Sequence, residues 1–201
     1  MRVVTTGSRV LLVRHGRTTL NAANLLRGHL DPELDDVGRA EAQALAKELA
    51  CWRPIRIVAS PLQRAMQTAA AIGRLAGVPV IPEPGLIDRD YGQWAGRPAE
   101  EVIARFGSLS GAPGVERLDH LRYRAALALD QQLPYLGSRP VVLVAHDVVN
   151  RELLALLDPE LGSADWIGQR TACWNELVHD MGDWRVLQVN RKPAPALGVA
   201  S

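Results

Sequence analysis

Short apolar runs alternate along this chain with longer segments whose apolar residues recur at helical spacing. Three of these runs, Val10–Val13, Arg56–Ala59 and Val141–Ala145, are predicted strands of the continuously apolar kind that is buried on both faces of a sheet. Strands that alternate with helices form βαβ units, which build a parallel sheet covered by helices. We therefore predict an α/β fold, a three-layer sandwich with a mainly parallel central sheet.

The remaining elements are predicted from caps, chain breakers and periodicity. Asp35 or Asp36 caps a helix that runs to about Ala50, and Gly77 ends a helix that begins at Ser60–Pro61. The other predicted elements are a strand at Val78–Ile81, helices at 98–106, 117–136 and 147–157, and a closing antiparallel pair at Ala172–Val178 and Trp184–Val189. Residues 1–190 are expected to form one domain and residues 191–201 a disordered tail.

Composition and charge exclude several classes of protein. A chain of 201 residues, 47% of them apolar and with no 18-residue apolar run, forms a globular domain that needs no membrane. A net charge of +1 without a basic stripe argues against nucleic-acid binding. Cys51 and Cys173 have no metal-ligand spacing, and the N-terminus has no signal-like apolar core, so we expect a cytoplasmic protein with reduced thiols. The sequence leaves a homodimer open.

Arginine dominates the basic residues. Of the 23 lysines and arginines, only Lys47 and Lys192 are lysines. One interpretation is a codon bias toward arginine, which the abundance of alanine and proline supports. The other is that some arginines bind an anionic ligand, because guanidinium matches phosphate and carboxylate bidentately where ammonium cannot.

Unusual polar residues follow three of the predicted strands. The first strand leads into Arg14, His15, Gly16 and Arg17, the second into Ser60 and Arg64, and the strongest into His146 and Asp147. Ligands of open α/β sheets bind at the carboxyl ends of the strands, where these side chains would meet. Converging histidines and arginines, together with a helix N-terminus near Leu62, favour a site for one small phosphate.

The order of these motifs resembles the histidine phosphatase superfamily, in its phosphoglycerate-mutase-like branch, up to about Val189. The resemblance is carried by R-H-G-x-T-x-x-N at Arg14–Asn21, G-H-L-D at Gly28–Asp31, L-D-D-V-G-R at Leu34–Arg39, S-P-L-x-R-A-x-Q-T-A at Ser60–Ala69, the acidic loop Asp88–Gly96, Gly114–Glu116 and the strand that ends at His146. R-H-G alone is a weak match, whereas this ordered series is specific.

The resemblance implies two-step phosphoryl transfer through a phosphohistidine, with no metal and no cofactor. His15 would be the nucleophile. Arg14, Arg64 and His146 would bind the phosphoryl oxygens, where charge accumulates in the transition state. Residues expected to contribute to substrate binding are Asn21, Arg17, Arg27, Gly28, Asp147 and Tyr91. Arg17, where relatives carry Gln or Glu, could strengthen phosphate attraction or point to solvent, and we favour the second for it.

The general acid has two candidates. Relatives carry a glutamate in the acidic loop, and alignment on Gly92, Trp94 and Gly96 places Asp88 there. Asp147 follows His146 where many relatives have glycine, and the other branch of the superfamily uses an aspartate after that histidine. We favour Asp88 because its surroundings match the nearer branch. Glu116 either caps a helix or orients a group of the site.

The expected activity is hydrolysis of a small phosphorylated metabolite. A mutase would shield its phosphohistidine from water, and only 58 residues separate Asp88 from His146, fewer than we expect for a mutase of this branch. The alternatives are cofactor-dependent mutase-type transfer and a non-catalytic phosphate-binding or interaction protein. The sequence does not identify the phosphomonoester.

Overall fold

The computed structural model describes residues 7–193, and a six-stranded sheet in the order β3-β2-β4-β1-β5-β6 forms its centre. The strands are β1 (Ser8–Arg14), β2 (Arg56–Ala59), β3 (Val80–Pro82), β4 (Val141–Ala145), β5 (Trp174–Asp180) and β6 (Asp183–Arg191). The ladders β1–β4, β2–β4 and β2–β3 are parallel, whereas β5 runs antiparallel to both β1 and β6. The sheet is therefore mixed, with β5 alone running against the other five strands, as the mainly parallel prediction expects.

Helices cover both faces of the sheet, which confirms the predicted α/β fold. The helices are α1 (Thr19–Ala22), α2 (Asp36–Ala50), α3 (Gln63–Ala76), α4 (Ala99–Phe106), α5 (Leu118–Asp130) and α6 (Asp147–Leu157). Leu11 and Val13 pack against α2 and α3 in one core, and Val10 and Leu12 pack against α5 and α6 in a second. Successive strand residues serve opposite cores because side chains alternate across a strand.

Local signals in the sequence locate most element ends. The Asp35 side chain accepts a hydrogen bond from the Gly38 amide and caps α2, and Gly77 ends α3 in the left-handed conformation with φ of 69°. The predicted third strand lies two residues later, at Val80–Pro82. The predicted helix 117–136 divides into α5 and a 3₁₀ turn at Leu133–Tyr135, since Pro134 has no amide hydrogen with which to continue α5.

The chain ends and connections differ from the prediction in two places. Helix α1 was not predicted, because four residues held by the Thr18 cap carry no periodic signal. The last strand extends to Arg191, and Lys192 forms an ion pair with Glu41, so the structure is ordered where the tail was expected to begin. Residues 194–201 lie outside the described part of the chain. Within residues 7–193, no helix has both the length and the apolar character needed to cross a membrane.

Two glycines bring the start of α2 against the loop that follows β1. A Cβ built on Gly38 would lie 1.9 Å from the carbonyl oxygen of Arg17, and one built on Gly16 would lie 2.5 Å from that of Gly38. Neither contact is possible for real atoms, so each position requires glycine. This backbone packing holds the loop that carries His15 against α2.

We predict that Gly38→Ala lowers the free energy of unfolding by about 2 kcal/mol, because the added methyl group forces the Arg17 backbone away from α2. Urea denaturation measures the change. Gly137→Ala is the matched control, since a Cβ at Gly137 meets nothing within 4 Å, and its unfolding free energy should stay within about 0.5 kcal/mol of the parent protein. Equal stability of the two variants would contradict the packing argument.

Candidate active site

Three neighbouring strands end at one edge of the sheet and bring the distant motifs together. His15 follows β1, Ser60 follows β2 and His146 follows β4. Backbone hydrogen bonds continue past the strand ends, with the His15 amide 3.1 Å from the Ala145 carbonyl and the Ser60 amide 2.9 Å from the Val144 carbonyl. The three turns are therefore held by the sheet itself, and the strands determine how the side chains meet.

His15 is fully buried and presents one free nitrogen to the site. Its Nδ1 lies 2.6 Å from the Gly16 carbonyl oxygen, which can only accept, so Nδ1 carries the hydrogen and Nε2 keeps its lone pair. Nε2 has no hydrogen-bond partner among the described residues. Burial, followed by His146 and the guanidinium groups of Arg64 and Arg14, holds the pKa of His15 well below its usual value. The imidazole is neutral, as a nucleophile must be.

His146 lies beside His15, with ring centroids 5.1 Å apart. Its Nε2 is 2.8 Å from the hydroxyl of Ser60, and its Nδ1 is 3.7 Å from Oδ2 of Asp88. Burial and the nearby arginines, Arg64 foremost, lower the pKa of His146 well below the usual value. A neutral ring in this place can donate or accept a hydrogen bond without adding a charge.

Two buried guanidinium groups flank the histidines, and each is paired with a carboxylate. Nη1 of Arg14 lies 3.2 Å from Asp147, and Nη2 of Arg64 lies 2.9 Å from Asp88. Arg14 also donates to the Gln169 carbonyl, and Arg64 donates to the carbonyls of Gly28 and Leu30. Burial lowers the pKa of both arginines. These hydrogen bonds and ion pairs hold each guanidinium group in one orientation.

Asp88 enters the site from the loop that follows β3. Its side chain is almost fully buried, Oδ1 accepts from the Arg89 amide at 2.9 Å, and Oδ2 faces both Arg64 and His146. Asp147, in contrast, lies between two guanidinium groups, 3.2 Å from Arg14 and 2.6 Å from Nε of Arg151. In the structure, Asp88 lies beside His146, whereas the Asp147 carboxylate lies between Arg14 and Arg151.

Arg27 adds a third cation near the two histidines. Its charge contributes to the lowered pKa of both His15 and His146. No ion pair joins Arg27 to a carboxylate within residues 7–193, and its buried Nε has no hydrogen-bond partner there. Nε of Arg14 and Nε of Arg64 are likewise buried without a partner. Three guanidinium N–H groups and Nε2 of His15 are therefore left without a partner among the described residues, which suits an oxyanion with several oxygens.

The other residues predicted to bind substrate have varied surroundings. The Gly28 carbonyl orients Arg64, at a backbone φ of 50°. Asn21 lies within α1 and hydrogen-bonds with its N-cap Thr18, and Arg17 forms an ion pair with Asp35 at 2.9 Å while its side chain is 38% exposed. Tyr91 is buried in a third apolar cluster, where burial raises its pKa. Of these four residues, only Gly28 is joined, among the described residues, by a hydrogen bond to one of Arg14, His15, Arg64, Asp88 and His146.

Two residues that hydrogen-bond to His146 and Arg14 were not predicted from the sequence to have a role in the site. Ser60 was named as the first polar residue after β2 but was given no role, yet its hydroxyl contacts His146. The Gln169 carbonyl binds Arg14, while the Gln169 side chain exchanges hydrogen bonds with Asn175 and accepts one from Asn150. Long-range contacts of this kind leave no local pattern in a single sequence. Across residues 7–193, no cluster of three His, Cys, Asp or Glu side chains is arranged to hold a metal ion.

A cavity of about 370 Å³ lies between the start of α6 and the loop that carries Asp88. Its wall includes Arg89 and Tyr91, which follow Asp88 in sequence, and Val148 and Arg151, which follow Asp147, but neither Asp88 nor Asp147 lines it. Apolar side chains on and after α4 complete the wall, among them Ile103 and Leu109.

Comparison with known proteins identifies the family. The family model of the histidine phosphatase superfamily (branch 1) matches residues 10–192. A glucosyl-3-phosphoglycerate phosphatase of Mycolicibacterium vanbaalenii is 36% identical over 165 residues, covering 74% of this chain and 73% of the relative. A metal-independent phosphoserine phosphatase of Arabidopsis thaliana is 34% identical over 157 residues, covering 72% of this chain and 66% of the relative.

The fold comparison agrees. The crystal structure of a phosphoglycerate mutase from Bacillus anthracis superposes with a TM-score of 0.82 at 19% identity, covering 92% of this chain and 94% of that one, which confirms the phosphoglycerate-mutase-like fold. Both sequence relatives are phosphatases, in agreement with the predicted phosphoric monoester hydrolase. The chain belongs to the histidine phosphatase superfamily, branch 1.

Proposed function

We propose that this chain hydrolyses small phosphomonoesters through a phosphohistidine on His15. The observation that carries the proposal is the state of the His15 ring: the bond from Nδ1 to the Gly16 carbonyl leaves Nε2 unprotonated, buried and without a partner among the described residues. A fixed tautomer, aimed at a group of guanidinium donors, is what in-line attack on phosphorus requires.

The first step transfers the phosphoryl group to the enzyme. Nε2 of His15 forms a bond to phosphorus while the bond from phosphorus to the ester oxygen breaks, and the leaving alkoxide takes a proton from Asp88. Arg14 and Arg64 stabilise the charge on the equatorial oxygens. In the second step water attacks the phosphohistidine, Asp88 accepts the water proton, the N–P bond breaks, and inorganic phosphate leaves.

Asp88 is the better placed of the two acids. Its Oδ2 lies near both His146 and Arg64, whereas both oxygens of Asp147 face arginines. Asp147 then serves to orient Arg14.

The leaving group that the site favours carries a carboxylate. Arg14 and Arg64 already have carboxylate partners, whereas Arg27 has none within residues 7–193. The substrates named for the two relatives, a glycerate derivative and phosphoserine, both bear a carboxylate on the carbon next to the phosphorylated one. We assign this carboxylate to Arg27 and the rest of the leaving group to the cavity lined by Arg89 and Tyr91. A cytoplasmic location and a homodimer stay predictions.

We predict that His15→Ala abolishes hydrolysis, with a loss of at least about 1000-fold in kcat, because the covalent route is gone. Phosphate release from an aryl phosphate, with a chelator present, measures the rate. A rapid acid quench should trap a labelled phosphohistidine in the parent protein and none in the variant. The control is His179→Ala, since His179 pairs with Ser8 at the opposite edge of the sheet. An unchanged rate in His15→Ala would overturn the proposal.

We predict that Asp88→Asn lowers kcat for an alkyl phosphate about 100-fold more than kcat for an aryl phosphate. Only the alkyl leaving group needs a proton, and general acid catalysis contributes on this scale. Asp147→Asn should reduce both rates by a similar factor, because it disturbs Arg14 and not the proton donor. A selective loss of the alkyl substrate in Asp147→Asn alone would assign the acid to Asp147 instead.

We predict that Arg27→Gln lowers kcat/KM about 10-fold for 3-phosphoglycerate and much less for glycerol 3-phosphate, which lacks the carboxylate. One charge-assisted contact accounts for a change of this size. Arg74→Gln, which removes an exposed arginine of α3, is the matched control. If both substrates lose the same factor, Arg27 binds the phosphoryl group rather than a carboxylate.

A further inference from the structure

Arg124 is a largely buried cation. It contacts residues 85–88, called the acid loop below, and none of its hydrogen bonds within residues 7–193 reaches a reacting group. It lies on α5, and its side chain is 14% exposed. Nη1 donates to the carbonyls of Gly85 and Ile87 at 2.9 and 2.6 Å, and Nη2 donates to the carbonyl of Asp88 at 3.1 Å. One side chain thus binds three backbone carbonyls within the four residues that end at Asp88.

Glu116 holds Arg124 in this orientation. The two side chains form a two-pronged ion pair, with Nε at 2.8 Å from Oε1 and Nη2 at 2.9 Å from Oε2. Together with the three carbonyls, this pair occupies every N–H donor that a guanidinium group has. Glu116 also accepts from His120 and from the Asp90 amide, and its own amide donates to the Asp90 carbonyl. Burial alone would raise the pKa of Glu116, but the hydrogen bonds from Arg124 lower it, so Glu116 stays ionised.

The backbone position determines where the Asp88 carboxyl group can reach. Aspartate has one methylene group between its backbone and its carboxyl group, so a shift of the main chain is passed on almost undiminished. The Asp88 carbonyl is held from two sides, by Arg124 and by Nε2 of His29 at 3.0 Å. With the backbone so held, Oδ2 meets Arg64 at 2.9 Å and His146 at 3.7 Å.

The Arg124 charge also reaches the site. It is one of the arginines that lower the pKa of His146, after burial and after Arg64 and Arg27. Within residues 7–193, Arg124 hydrogen-bonds only to backbone carbonyls and to Glu116, yet its charge affects His146.

We propose that Arg124, oriented by Glu116, is a positioning residue that sets the place of Asp88 and thereby the efficiency of proton transfer to the leaving group. The inference rests on the proposed role of Asp88 as the general acid. It also explains Glu116, which does not serve as the side-chain cap of α5: it aligns the cation that holds the acid loop.

The test compares Arg124→Met with Arg122→Met. Both arginines lie on α5 and pair with a glutamate, but Arg122 binds Glu152 at 2.6 Å and, among the described residues, donates no hydrogen bond to the acid loop. We expect Arg124→Met to lower kcat for an alkyl phosphate about 10- to 100-fold more than kcat for an aryl phosphate, with KM little changed, because a misplaced acid still leaves the binding groups intact. Arg122→Met should leave the alkyl-to-aryl ratio unchanged.

Arg124→Lys serves as the conservative variant. An ammonium group has three donors in place of five, so it should restore part of the alkyl rate if the carbonyl bonds are what matters. Thermal unfolding is followed for all three variants. Equal losses on both substrates, or a loss that follows the melting temperature in Arg122→Met and Arg124→Met alike, would show a purely structural role and overturn the proposal.

A crystal structure of Arg124→Met separates this inference from the proposed function. We expect the contact between Asp88 and Arg64, 2.9 Å in the parent protein, to be lost. If the contact persists, Arg124 does not position Asp88, whatever the activity. If the parent protein hydrolyses no phosphomonoester, the proposed function fails. The position of Asp88 in the variant structure still shows whether Arg124 positions it.

Discussion

The site depends on keeping two guanidinium groups buried beside two neutral histidines. A buried charge is costly unless a partner offsets it, and here Asp147 faces Arg14 while Asp88 faces Arg64. The same arginines, together with burial, hold the pKa of His15 well below its usual value, so the groups proposed to bind phosphate also keep the proposed nucleophile neutral. Electrostatics and nucleophilicity therefore arise from one arrangement.

The supports of these groups come from different parts of the chain. The sheet edge holds His15 and His146, Gln169 binds Arg14, and Gly28 binds Arg64. Asp88 is the exception, because it lies on a loop outside the sheet. A loop holds a side chain in one position only when a rigid neighbour hydrogen-bonds to the loop backbone. Helix α5 is that neighbour, and Arg124 makes the hydrogen bonds.

Much of the fold and the centre of the site could be predicted from local patterns. Continuous apolar runs located β1, β2 and β4, and capping chemistry located α2 and the end of α3. The rule that ligands bind at the carboxyl ends of parallel strands placed Arg14, His15 and His146 together. The roles expected for Asn21 and Arg17 stay predictions; in the structure Asn21 bonds to Thr18, and Arg17 pairs with Asp35 while its side chain is 38% exposed.

By itself, the sequence determined the α/β class, the strands that converge, the residue types at their ends and the family, because each of these depends on short-range patterns. Tertiary structure decided the rest. The partners of Asp88 and Asp147, the lack of an ion pair at Arg27 within residues 7–193, and the contacts of Glu116 with Asp90 and Arg124 depend on distances that no local sequence pattern specifies. Burial increases the energetic effect of these contacts, because in a low-dielectric interior a contact of about 3 Å decides which group stays charged.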